Sequence, residues 1–80
     1  MIYDILFFTH TGAIKFERKM KQEGITCELM PVPRALSSNC SVSARIEFEG
    51  ESVDLIDSQI EKMFILKDNH YELVYESPEI

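Results

Sequence analysis

Ser52-Val53-Asp54-Leu55-Ile56-Asp57-Ser58-Gln59-Ile60-Glu61-Lys62-Met63 is the stretch on which the fold turns. Ser52 has the side chain of a helix N-cap, and Asp54 would lie in a first turn, where the macrodipole favours an acid. Val53, Ile56, Ile60 and Met63 form a helical stripe, and Lys62 and Lys67 fall towards the far end, where cations are favoured. The spacing predicts a second amphipathic helix. That expectation sets the topology of everything around it.

Upstream, Ile2-Tyr3-Asp4-Ile5-Leu6-Phe7-Phe8 is β-branched and aromatic and apolar at both parities except for Asp4, the pattern of a central strand. From Thr11 to Glu23, Ala13, Phe16 and Met20 recur at helical spacing, with Thr9 or Thr11 as cap and Gly24 at the C-terminal αL position. Ile25 to Met30 alternates, with Ile25, Cys27 and Leu29 on one side. Ser43 to Glu49 alternates more cleanly, with Ala44, Ile46 and Phe48 inward and Arg45 and Glu47 outward, before Gly50. Downstream, Tyr71 to Tyr75 reads as a fourth strand and residues 77–80 as a loose tail.

The resulting order, β-α-β-β-α-β, is that of an α+β ferredoxin-like sandwich: a four-stranded antiparallel sheet, strand order 4-1-3-2, with two helices on one face. Residues 1–76 form one domain, the size that 80 residues allow. This topology sorts the connections. Thr9 to Gly12, Pro31 to Val42 and the turn from Lys67 to His70 are expected at one edge of the sheet. On strand 1, if Tyr3, Ile5 and Phe7 face the helices, Leu6 and Phe8 share the open face with Asp4, where a homodimer could cover them.

Fourteen acidic residues against eight basic ones, a net charge of -6, argue against nucleic acid, because a phosphate-tracking protein needs a basic face. Lys15, Arg18, Lys19 and Lys21 do cluster, but Glu17 and Glu23 interrupt them, which reads as a solvated helix face. No apolar run approaches the about 20 residues of a membrane span, and Met-Ile-Tyr-Asp does not open like a signal peptide, so a cytoplasmic protein is expected. Two cysteines, without Cys-x-x-Cys or metal spacing, are expected as reduced thiols with no metal.

The remaining stretch, Pro31-Val32-Pro33-Arg34-Ala35-Leu36-Ser37-Ser38-Asn39-Cys40, fits neither helix nor strand interior, because its prolines fix φ and lack donors. It is a shaped loop that presents Cys40 where the chain turns back into a strand. Its edge should also hold Arg34, His10, the N-terminus of helix 1 and, through the 67–70 turn, His70, a setting that favours a thiolate. Each residue has a plainer reading. Cys40 can be a small semi-buried residue, Arg34 can tie the loop down, and His10 and His70 can be surface or capping groups. Cys27 shares parity with Ile25 and Leu29 and belongs to the core.

Glu23-Gly24-Ile25, Pro31-Val32-Pro33-Arg34, Ser37-Ser38 and Cys40 leading into a strand resemble the small bacterial family of selenium/sulfur carrier-like proteins, whose domain also occurs fused to sulfurtransferase-like carrier domains. Position by position, Arg34 and Cys40 match that family's Pro-Arg and Cys, and Ser37 and Ser38 match the polar residues between them. Ser41 stands where the family usually has glycine. The resemblance implies a carrier rather than a turnover enzyme: Cys40 accepts sulfane sulfur as a persulfide, or binds selenium, and hands it to a partner protein. Arg34, Ser37, Ser38 and His10 would stabilise the anion, without an organic cofactor, and the partners would be donor and acceptor proteins. The alternative is a regulatory or protein-interaction module in which Cys40 is incidental. Other ferredoxin-like functions fit less well, since Thr9-His10-Thr11-Gly12 carries neither the thiols of a copper chaperone nor a glycine-rich phosphate loop.

Overall fold

In a computed structural model describing residues 1–36 and 41–79, the first strand, β1 (Ile2–Phe7), is buried from Tyr3 onward on both faces. That is why its sequence is apolar at both parities. Tyr3, Ile5 and Phe7 pack towards the helix α1 (His10–Gln22), whose Ala13, Phe16 and Met20 complete one core with them. The Phe7 and Phe16 rings meet at 5.3 Å. Thr9 caps α1 from extended backbone, its Oγ1 accepting the Gly12 N–H at 3.0 Å.

The helix stops in a Schellman turn: Gly24, at φ +74°, donates its N–H to the Lys21 carbonyl, and Ile25 donates to that of Met20. Nothing lies within 4 Å of where a Cβ on Gly24 would sit. Gly24→Ala is therefore expected to cost only backbone strain, about 1 kcal/mol. Urea unfolding should show a lower midpoint and an unchanged slope; a loss above about 3 kcal/mol would mean that the turn carries more than its backbone conformation.

Strands β2 (Cys27–Pro31) and β3 (Val42–Glu47) follow as expected from their alternation. The chain then departs from the expected second helix. Ser52–Leu55 makes a single 3-10 turn, and Ile60–Lys67 and His70–Glu76 are strands β4 and β5. The described residues hold one α-helix and a five-stranded antiparallel sheet in the order β2-β3-β1-β4-β5. The ferredoxin-like β-α-β-β-α-β sandwich, with four strands and two helices on one face, is thereby corrected.

Two local features explain the difference. Leu6 pairs with Lys62 but Phe7 with Ile60, so Glu61 is an extra residue, a β-bulge. The bulge puts Ile60 and Met63 on the same face three residues apart, which imitates a helical stripe. Asp68 and Asn69 both have positive φ, at 50° and 65°, as the mirror-image hairpin turns require. Such a turn joins paired strands, and Lys67 stands opposite His70.

Leu55 and Ile56 from the crossover between β3 and β4 join the core on the α1 side. The opposite face does not leave Asp4 and Leu6 open to a second copy, as the sequence suggested. Both are already 0% exposed within the chain, and Phe8 is half-buried in the turn before α1. In the register, Asp4 stands between Arg45 and Phe64, and Leu6 between Ser43 and Lys62. At the end of β5, the buried Ser77 donates its N–H to the Glu61 carbonyl at 2.8 Å.

Candidate functional site

The strand directions decide which loops meet. β1 rises to the α1 N-terminus, β2 rises to Pro31, and β3 and β4 descend from Val42 and Ile60. The upper end therefore gathers the 8–9 turn with the start of α1, the 32–41 connection and the end of the β3–β4 crossover. His10, first residue of α1, and Arg34 lie at this end, both exposed. His70 does not. Because Ile60–Lys67 is itself a descending strand, the 68–69 turn falls at the opposite end, which corrects the grouping of His70 with the other candidates.

The neck of the long connection is built in backbone. Pro31 pairs with Val42, and Val32 donates its N–H to the Ser41 carbonyl at 3.3 Å. Pro31 can sit in β2 because that strand is the sheet's edge, where a missing donor breaks no ladder. A turn follows, with Leu36 N–H donating to Pro33 O at 3.0 Å and Arg34 and Ala35 at its exposed corner. Ser41 is exposed at the return. Ser37, Ser38 and Cys40 lie outside the described residues.

Across this end the crossover is stitched to the helix. Phe8 donates its N–H to Gln59 O at 3.2 Å, and Gln59 donates its own to Asp57 Oδ1 at 2.8 Å. A Cβ on Gly12 would come within 2.8 Å of Gln59 Oε1, so glycine is what permits that approach. Sequence reasoning did not single out Gln59, because its partner is set by the crossover's path.

The chain's other thiol stands apart. Cys27, on β2, is half-buried beneath α1. Its thiol is pushed from 9.0 up to about 11, first by burial and then by the Glu17 carboxylate, with Lys21 opposing. A thiol so held is a poor nucleophile near neutral pH.

A second polar cluster was missed from sequence. Asp4, wholly buried, accepts from Arg45 Nε and Nη2 at 2.8 Å each, and Arg45 Nη2 also donates to the Tyr71 hydroxyl at 3.2 Å. The hydrogen bond to Asp4 raises the guanidinium's affinity for its proton. Burial first, and then Asp4, push the Tyr71 phenol up as well. The available signal was the β1–β3 register, which sets Asp4 directly opposite Arg45. Beside Arg45, a depression of about 180 Å³ is lined by Ile2, Thr26, Glu28 and Glu47.

Among the described residues the architecture is that of an antiparallel α+β domain with one α-helix and a loop whose neck is paired in backbone at the helix N-terminal end. The family model described as "Putative Se/S carrier protein-like" matches residues 3–72, and the chain belongs to that family. No curated protein and no solved structure matches it. Among the described residues, no helix is long and apolar enough to cross a membrane.

Proposed function

We propose that this chain carries sulfur or selenium on Cys40, between a donor and an acceptor protein. The observation that carries the reading is the family match, which spans 3–72 and so runs across the loop between β2 and β3. Of the chain's two cysteines, Cys27 has its thiol suppressed by burial, which favours assigning the chemistry to Cys40. In loading, the Cys40 thiolate attacks the outer sulfur of a donor persulfide. A new S–S bond forms on Cys40, the donor's S–S bond breaks, and its electron pair leaves with the donor as thiolate. The exposed Arg34 and the free N–H groups at the start of α1 would supply positive character for the anion, with His10, Ser37 and Ser38 as hydrogen-bond donors. The protein would act where thiols stay reduced, in a cytoplasm.

The test is loading. Reduced protein incubated with a cysteine desulfurase and free cysteine should gain mass that reductant removes, in wild type and in Cys27→Ser but not in Cys40→Ser. If wild type gains nothing under conditions that load a known carrier, or if Cys40→Ser gains as much, the carrier reading on Cys40 fails. The interaction module would then be the better account.

A further inference from the structure

Two charged surfaces of opposite sign, one on α1 and one on the β3–β4 crossover, lie side by side. Between Arg45 and Lys62 every charged residue is acidic, and of these Glu49, Glu51 and Asp54 are exposed on the β3–β4 crossover, whereas Glu61 is buried. Most of this stretch is the β3–β4 crossover, and the 3-10 turn within it holds out Val53, 67% exposed. On α1, Lys15, Arg18 and Lys19 are exposed around Ile14, itself 36% exposed. Lys21 is engaged with Glu17 at 3.9 Å, but Lys15, Arg18 and Lys19 have no ion-pair partner among the described residues. Neither do Glu51 and Asp54, whereas Glu49 holds the N-terminal ammonium at 2.9 Å.

Both surfaces stand on the same side of the sheet. Leu55 of the crossover shares the core with Phe16 and Met20 of α1, and Gln59 rests against Gly12. A basic strip and an acidic strip adjacent on one face are self-complementary under a two-fold axis running between them, because rotation lays each copy's basic strip on the other's acidic one. We propose that this face pairs with a second copy of the chain, α1 of each protomer against the crossover of the other, with Ile14 and Val53 as the apolar contacts. The proposal needs no chemistry at Cys40, so a Cys40→Ser protein dimerises equally and the two readings fail separately.

Light scattering and sedimentation across a concentration series test it. At about 0.1 M salt the long-range repulsion between two acidic chains is screened beyond about 10 Å, and contact pairs decide the outcome. The wild type should be dimeric there and dissociate about tenfold more readily near 1 M salt. Lys15→Glu with Arg18→Glu should be monomeric, and so should Glu51→Lys with Asp54→Lys, although the latter lowers the net negative charge. Mixing the two should restore a dimer containing one of each. Their exposed positions leave the circular dichroism unchanged. A wild type that stays monomeric at every concentration, as it would if a different protein occupied this face, overturns the proposal. So does a dimer that ignores both charge reversals.

Discussion

Arg45→Met is expected to cost this domain about 3–5 kcal/mol, because it strands a buried carboxylate. Asp4 is 0% exposed while the Arg45 side chain is 34% exposed, so the guanidinium reaches in from the wet edge to satisfy a carboxylate sealed from the surface. Losing an exposed partner would ordinarily matter little. Here the loss falls on the member left behind. Domains of this kind hold about 5–15 kcal/mol in total, so the urea midpoint should fall by a large fraction. Replacing both members, Asp4→Leu with Arg45→Met, should return most of the loss, since an apolar pair needs no compensation. Tyr71→Phe, which removes one acceptor from Arg45, should cost about 1 kcal/mol. A single Arg45→Met loss below about 1 kcal/mol would show that Asp4 finds another partner or water.

That pair also shows where sequence reasoning ended. The alternation around Ala44 and Ile46, the helical spacing of Ala13, Phe16 and Met20, and Gly24 at the helix end each act within a few residues, and the first strand, the helix and the next two strands were legible from them. What joins Asp4 to Arg45 is the pairing of strands forty-one residues apart, which no local pattern encodes. The second helix failed for a different reason. A bulge converts a period of two into a local spacing of three, so Ile60 and Met63 satisfied a helical template while belonging to a strand. The Asp68-Asn69 pair was the countersignal, since positive φ at both residues demands paired strands on either side. At the site, placing Arg34 and His10 at one end depended only on the first three strands and was legible. Placing His70 depended on the missing helix and was not.

The second large effect is a contrast between the two thiols. With its pKa moved from 9.0 to about 11, Cys27 holds about 100-fold less thiolate near neutral pH than an unperturbed cysteine. Alkylation with iodoacetamide should therefore be biphasic in the native protein, with peptide mapping assigning the fast phase to Cys40 and the slow one to Cys27. The slow rate should climb with pH until about 11, and Glu17→Gln should speed it by removing one cause of the shift. The same asymmetry fixes a stability trend. The unfolded chain releases this proton near 9.0 and the folded one near 11, so the stabilising preference for the neutral thiol is complete below 9.0 and is lost as pH rises towards 11. Cys27→Ala should flatten that decline in urea midpoints across the alkaline range. Equal alkylation rates for both cysteines in the folded protein would remove the physical ground for assigning sulfur transfer to one of them, because either thiolate could then attack a persulfide.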